Sequence, residues 1–113
     1  MKTIKSRFCD LTGCRFPIVQ TGMGWVATPP LVAAVSEAGA FGILAGATLT
    51  LDELRHSIAA TQEATDQAFG VNLRADAPDA RARVDLLIEK NVRLASFAAA
   101  PKRDLIARLK DEN

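Results

Sequence analysis

The chain has 113 residues, of which 49% are apolar and 24% are charged, and its formal net charge is +1. This composition and length indicate one folded domain with a hydrophobic core and argue against intrinsic disorder. The balanced charge argues against a nucleic-acid partner. No apolar stretch in the sequence is long enough to span a bilayer, and none follows the basic N-terminus as in a signal peptide. We therefore expect a cytoplasmic protein without a membrane partner.

The cysteine content argues against a metal site. Cys9 and Cys14 lie in a polar N-terminal stretch, there is no second cysteine pair, and His56 is the one histidine of the chain. A structural zinc site needs about four such ligands, so no metal is expected. The two thiols are then either free, as is usual in a reducing compartment, or joined in a small local disulfide.

The first predicted strand covers residues 16–20 (FPIVQ) and leads into a glycine-rich turn. A helix is expected to follow, with the Thr28 hydroxyl as its cap. Pro29 and Pro30 fit its first turn, where a missing N–H leaves no helical hydrogen bond unmade. Gly39 is placed to end this helix with a positive φ.

Three further strand–helix pairs follow in chain order. The second predicted strand is 41–45 (FGILA), and its helix opens with the segment TLDE at 50–53, which has the pattern of a capping box. The third strand is 69–73 (FGVNL), and a polar loop separates it from a helix. The fourth strand is 92–97 (VRLASF), and its helix is expected to begin at Pro101.

This alternation of strand and helix predicts an α/β fold with parallel strands joined by right-handed crossovers. The strands are mostly apolar, as expected where both faces of a sheet are covered. Two architectures fit: a small doubly wound sheet, or four βα units that form the N-terminal half of a TIM (βα)8 barrel. Such a half leaves two bare strand edges, so we expect the chain to be truncated or part of a longer protein.

In either architecture a ligand binds at the carboxyl ends of the strands. The turn Gly22-Met23-Gly24 either lets the backbone approach a flat ligand or is simply tight. Trp25 beside it offers a broad apolar face, although packing is the commoner role of such a residue. Asn72 is an amide within an apolar strand and requires a partner, either a neighbouring loop or a ligand. Ser96, inside the fourth strand, either contacts a ligand or bonds to the backbone. The residues alone indicate a ligand-binding scaffold.

Three segments carry a resemblance to a known family: PIVQTGMGWV at 17–26, EAGAFGILA at 37–45 and FGVNL at 69–73. They resemble the nitronate monooxygenase (2-nitropropane dioxygenase) family, and the likeness runs from about Phe16 to the end of the chain. The FMN-dependent enoyl reductases are similar over the same span. The segments TGMGWVA and VRLASFAAAPK most resemble an actinobacterial branch of this family that acts on CoA thioesters during steroid-ring breakdown.

The resemblance implies a lead-in at 1–15 and a partial FMN-binding TIM barrel at 16–113. It implies that the backbone of Gly22, Met23 and Gly24 lies against the isoalloxazine ring and that Asn72 hydrogen-bonds the flavin. Trp25 and Ser96 are candidates for the substrate pocket. The catalytic residues and the site for the FMN phosphate are expected beyond Asn113, so the segment alone is expected to bind FMN weakly and to be inactive.

Three functions remain open. The first is an FMN-dependent monooxygenase that oxidises alkyl nitronates with O2. The second is an FMN-dependent, NAD(P)H-linked reductase or dehydrogenase that acts on an unsaturated or steroid-derived acyl-CoA. Both take a small-molecule substrate, a nitronate or an acyl-CoA. The third is a non-catalytic half-barrel that self-associates through its exposed strand edges.

Overall fold

The computed structural model describes residues 4–111. The ends of the predicted lead-in and of the predicted barrel segment, residues 1–3 and 112–113, lie outside the described residues. The elements in chain order are α1 Arg7–Thr12, β1 Val19–Gln20, α2 Pro29–Glu37, β2 Phe41–Ala45, α3 Leu51–Ala64, β3 Gly70–Arg74, α4 Ala80–Glu89, β4 Leu94–Ala98 and α5 Arg103–Asp111. In this part of the chain, no helix has both the length and the apolar character that crossing a membrane requires.

The four strands form one parallel sheet in the order β1-β2-β3-β4. A doubly wound sheet reverses its strand order at a switch point, whereas a (βα) barrel adds each strand beside the preceding one. The described strands follow the second pattern, and helices α2 to α5 pack each against the next. The structure therefore confirms the predicted α/β fold and selects the part-barrel over the doubly wound sheet.

The first strand is shorter than predicted. Arg15 and Phe16 both donate their backbone N–H to Gly39 O, at 2.8 and 3.0 Å, and Ile18 N–H turns back to Phe16 O. Pro17 between them has no N–H to give to a ladder. Residues 16–18 therefore approach the sheet in a turn, and β1 pairs with β2 only at Val19 and Gln20.

The helix termini follow the sequence with two exceptions, one of which is that α5 begins at Arg103 and not at Pro101. Gly39 has the expected positive φ of 99° just after α2. Thr50 and Glu53 form the predicted capping box, and this bonding lowers the pKa of the Glu53 carboxyl. The predicted hydroxyl cap on α2 is wrong: Thr28 stands at the N-cap, but its side chain makes no capping hydrogen bond. With proline at the first two helical positions, two of the usual backbone donors are absent.

The lead-in contains a helix, α1, that the sequence analysis did not predict. The Ser6 hydroxyl accepts from Cys9 N–H at 3.1 Å, and Gly13 ends the helix with φ 81°. The Phe8 ring meets the Phe41 ring edge-on, with centroids 5.8 Å apart. Because Phe41 is fully buried at the start of β2, α1 is anchored to the amino end of the sheet.

Cys9 and Cys14 are free thiols and not a disulfide, which is the first of the two alternatives that the sequence left open. The Sγ atoms of Cys9 and Cys14 lie 3.8 Å apart, and burial raises the pKa of the Cys14 thiol. Among residues 4–111, no three His, Cys, Asp or Glu side chains are grouped closely enough to hold a metal ion.

The hydrophobic core lies between the sheet and its helices. Gly42 of β2 lets α2 approach closely, since a Cβ there would lie 2.7 Å from Val32 O. The buried side chains of the core cluster come from all four βα units: Ala27, Val32, Leu44, Ala45, Leu54, Ile58, Phe69, Val71, Leu73, Ala80, Val84, Leu86, Leu87 and Leu105. This layer fixes the strands from the helix side and leaves their carboxyl ends to the loops.

Candidate functional site

The loops that follow the four strands lie at one edge of the sheet, because parallel strands all end on the same side. We call this edge the rim and define it as residues 21–28, 46–50, 75–79 and 99–102 together with the last residues of the strands. Every residue that the sequence analysis proposed for a ligand site lies on the rim or next to it.

Gly22, in the loop after β1, lies directly against Asn72 of β3, although β1 and β3 are not neighbours in the sheet. A Cβ on Gly22 would lie 2.6 Å from the Asn72 Cβ and 3.4 Å from Cγ2 of Ile43. Real Cβ atoms do not approach so closely, so only glycine permits this contact. The loop after β1 thus crosses the end of β2 and reaches β3, which brings the glycine turn and the Asn72 amide to one place.

The Asn72 side chain uses its donor within the sheet and keeps its acceptor free. Asn72 pairs with Ser96 in the β3–β4 register, and its Nδ2 donates to Ser96 Oγ at 2.8 Å, with a longer contact of 3.4 Å to Ser96 O. In the described part of the chain, Asn72 Oδ1 accepts no hydrogen bond. Ser96 is therefore the protein partner that the sequence analysis expected for the Asn72 amide. Asn72 Oδ1 remains available as an acceptor at the rim.

The loop after β1 presents a series of unpaired backbone donors. Met23 O accepts from Val26 N–H at 3.1 Å and from Ala27 N–H at 2.8 Å, which closes a tight turn. Within residues 4–111, the five N–H groups from Thr21 to Trp25 donate to no protein acceptor. Backbone donors grouped in this way suit a ligand with anionic or carbonyl oxygens.

Two strained residues lie on the rim. Trp25 has φ 61° and Ala99 has φ 68°, and a third described non-glycine residue with positive φ, Asn91, follows the end of α4. A bulky side chain rarely adopts this conformation, which costs about 1–2 kcal/mol. Trp25 is also 83% exposed and Met23 is 40% exposed, so neither is packed in the core of this chain. Such strain is typical of ligand sites.

Arg83 of α4 holds the loop after β2, and the sequence analysis missed it. Its guanidinium donates to Gly46 O at 2.9 Å, to Leu49 O at 2.6 Å and to Asp79 Oδ1 at 3.0 Å, and the residue is only 8% exposed. The loop that it fixes carries Thr48, against which Gly24 packs. A signal was present in the sequence, because position 83 lies on the inner face of the helix between 80, 84 and 87.

Arg74 at the end of β3 and Asp76 on the loop after it form an ion pair. Arg74 donates to Asp76 through Nε at 2.9 Å and Nη2 at 2.7 Å. This bidentate bond lowers the pKa of the Asp76 carboxyl. The geometry favours recognition at the rim through backbone amides and the Asn72 oxygen.

Comparison with known proteins agrees with this geometry. The family model described as nitronate monooxygenase matches residues 5–83, which include the glycine turn, Trp25 and Asn72. The chain belongs to the nitronate monooxygenase family. This confirms the resemblance that the sequence motifs indicated, while Ser96 and the residues after Arg83 lie outside the matched range.

Members and neighbours of the family differ in their names. The chain is 56% identical over 97% of its length to a Rhodococcus jostii protein named (3aS,4S,5R,7aS)-5-hydroxy-7a-methyl-1-oxo-octahydro-1H-indene-4-carboxyl-CoA dehydrogenase, of which it spans 31%. It is 39% identical over 62% of its length to a probable nitronate monooxygenase of Staphylococcus saprophyticus, of which it spans 20%. The structure of FabK from Thermotoga maritima superimposes with a TM-score of 0.91 at 38% identity, covering 97% of this chain and 35% of that one. The chain thus spans about a third or less of these relatives.

Proposed function

We propose that this chain is the flavin-contacting part of an FMN-dependent oxidoreductase. The observation that carries the proposal is the contact between Gly22 and Asn72. Gly22 belongs to a loop in which five consecutive N–H groups are unpaired. One edge of an isoalloxazine carries carbonyl oxygens and ring nitrogens that accept hydrogen bonds, and it also carries one N–H donor. The loop supplies donors, and Asn72 Oδ1 supplies an acceptor.

The residues present fit such a ring. A flat ligand needs close approach to the backbone, and the absence of a Cβ at Gly22 and Gly24 provides it. In this proposal the amides from Thr21 to Trp25 bind and orient the ring, and Ser96 holds the Asn72 amide in place. FMN would supply the electron transfer, whereas the protein supplies binding and orientation. The phosphate would need amides from further βα loops, so we expect the chain alone to bind FMN weakly.

For the complete protein we propose an acyl-CoA thioester as substrate and its dehydrogenation, with the oxidised nicotinamide NAD(P)+ as the final acceptor of the two electrons. Two relatives that are each 56% identical over nearly the whole chain are named as dehydrogenases of a 5-hydroxy-indene-carboxyl-CoA, and this supports the proposal. We therefore propose the acyl-CoA hypothesis ahead of the nitronate hypothesis, which the sequence analysis put first. Trp25, exposed and strained at the mouth of the site, is our candidate for the residue that packs against the acyl group.

Nitronate oxidation is the second candidate. A relative named as a probable nitronate monooxygenase supports it, at 39% identity over 62% of this chain. The backbone donors of the loop after β1 suit the oxygens of a nitronate as well as those of a flavin.

Anaerobic mixing of the complete flavoprotein with three reductants separates the candidates. We expect a cyclic hydroxyacyl-CoA thioester to bleach the visible flavin band, and propionate 3-nitronate to leave it unchanged. NAD(P)H is the third reductant, and bleaching of the flavin band by NAD(P)H would show that a nicotinamide exchanges electrons with the flavin. Bleaching by the nitronate with no response to the acyl-CoA would reverse the order of the two candidates. A colourless protein that gains no flavin spectrum on addition of FMN would refute both.

A pair of variants tests the flavin contacts. Asn72→Leu removes the free acceptor, and we expect the dissociation constant for FMN to rise by about tenfold, the equivalent of one hydrogen bond and its unpaired partner. Ser96→Ala keeps Asn72 Oδ1 but removes the hydroxyl that orients the amide, so we expect a smaller rise, of about threefold. Fluorescence titration of the flavin-free complete protein measures both. An Asn72→Leu variant that binds FMN as tightly as the wild type would contradict the proposed contact.

The self-association hypothesis stays a prediction. Ile18 and Val19 are 62% and 45% exposed at β1, the edge strand of the described sheet, and this apolar edge would pair readily with another strand. Sedimentation of residues 1–113 at increasing concentration tests it. A well-folded monomer throughout would contradict the hypothesis.

A further inference from the structure

β1 ends earlier than its pairing with β2 requires. The register aligns Val19 with Phe41 and Gln20 with Gly42, and Phe41 N–H donates to Ile18 O at 2.8 Å. Parallel ladders repeat every two residues, so the continuation of this ladder would carry Gly22 N–H to Ile43 O. The described structure holds no such bond, and the backbone leaves the sheet after Gln20.

The side chain of Gln20 takes the place of the missing rung. Its Nε2 donates to Ile43 O at 3.1 Å and also to Thr21 O. Ile43 O is therefore satisfied without the backbone, and Gly22 N–H has no acceptor within residues 4–111. The two carbonyl partners also fix the orientation of the amide, because an oxygen in the place of Nε2 would face two acceptors.

The oxygen of the same Gln20 amide is in an unfavourable environment. Gln20 Oε1 is buried and accepts no hydrogen bond from the described residues. A buried acceptor without a donor is unfavourable, and such atoms are few in folded proteins. The side chain thus keeps an arrangement that its own hydrogen bonding does not optimise, which is typical of residues that serve a neighbouring site.

The far end of the loop is fixed on the same strand. Ala27 O accepts from Ala45 N–H at 3.0 Å, two residues along β2 from the carbonyl that Gln20 holds. The loop is therefore attached to β2 at Ile43 through a side chain and at Ala45 through the backbone. Between these attachments, the amides from Thr21 to Trp25 stay out of the ladder.

We propose that Gln20 is a positioning residue that stops β1 one rung early and so keeps the Gly22 amide available to the flavin. This inference rests on the proposed flavin site. An apolar side chain of similar size at position 20 would release Ile43 O, and Gly22 N–H would then turn into the sheet to satisfy it. The loop would lose a donor at the rim, and β1 would gain one residue.

Hydrogen–deuterium exchange on the flavin-free complete protein tests the strand stop directly. In the wild type we expect the Gly22 amide to exchange rapidly, because nothing in the protein accepts its hydrogen. In Gln20→Met we expect its exchange to slow by about tenfold or more, as for an amide in a ladder. Gln20→Glu has nearly the same shape but no donor at neutral pH, and we expect it to slow exchange of the Gly22 amide as well. A Gly22 amide that is already protected in the wild type, or that exchanges equally fast in both variants, would overturn the proposal.

The flavin spectrum provides a readout that a purely structural role would not move. With FMN bound, we expect Gln20→Met to shift the visible flavin maxima and to weaken FMN binding by about fivefold, the equivalent of one hydrogen bond. Gln62→Met is the matched control, since Gln62 Nε2 also donates to a backbone carbonyl, Lys90 O at 2.8 Å, on the helix side. An unchanged spectrum in Gln20→Met would also count against the proposal. If the wild type binds no flavin, the proposed function fails, while the exchange experiment still decides the role of Gln20.

Discussion

Replacing Gly22 with alanine should destabilise the protein and abolish high-affinity flavin binding. The new Cβ would lie 2.6 Å from the Asn72 Cβ, and neither atom can rotate away because both positions are set by the backbone. Relief requires the loop to lift from β3, and overpacking of this kind costs about 1–3 kcal/mol. Chemical denaturation of the complete protein measures the loss of stability, and FMN titration measures the loss of the site.

Gly24→Ala is the control for this prediction. Its Cβ would meet Cγ2 of Thr48 at 3.1 Å, and that methyl belongs to a side chain that can rotate. We expect a loss of stability below about 1 kcal/mol, even though the residue added is the same and the site is two positions away. If Gly22→Ala and Gly24→Ala were equally stable, the close contact between Gly22 and Asn72 would not exist in solution.

Removing the guanidinium of Arg83 should have the second large effect. In Arg83→Met the apolar stem is kept, but Gly46 O and Leu49 O lose the donors that now lie 2.9 and 2.6 Å away. Gly46 O keeps a longer bond from Leu49 N–H at 3.3 Å, and Leu49 is only partly buried. We therefore expect a loss of about 1–3 kcal/mol in urea unfolding, the cost of leaving acceptors short of a donor. The Asp79 carboxylate is 42% exposed and adds little to this value.

Arg81→Met provides the matched control on the same helix. Arg81 is exposed, and the same substitution there should change the free energy of unfolding by less than about 0.5 kcal/mol. Arg83→Lys separates charge from geometry, because one ammonium group on a flexible stem does not reproduce the planar fork of donors. A lysine variant as stable as the wild type would show that the charge alone matters at this position.

The sequence determined the elements whose cause is local. β2 is bounded as predicted, and the capping box at Thr50 and Glu53 lies where the residue spacing puts it. The positive φ at Gly39 also followed from the sequence, because only glycine adopts it without strain. The repeat of strand and helix indicated parallel strands, and hence that the Gly22 turn and Asn72 would share one edge.

Tertiary structure decided the features that depend on partners far away in the chain. The start of β1 depends on Gly39 O, and α1 is held by the ring contact between Phe8 and Phe41 and by the bond from Arg93 Nε to Leu11 O. Six residues are too few for a helical period to show in the sequence. The order of the strands, which separated the part-barrel from the doubly wound sheet, is likewise a property of the assembled sheet.

The site divides in the same way. An amide in an apolar strand and glycines directly after a strand can be recognised from the sequence. These two patterns identified the candidates Gly22, Met23, Gly24 and Asn72. The roles of Gln20 and Arg83 were not visible, since each acts on carbonyls that lie 23 or more residues away in the chain. Backbone carbonyls are the same at every position of a sequence, so only the folded chain decides which of them a side chain meets.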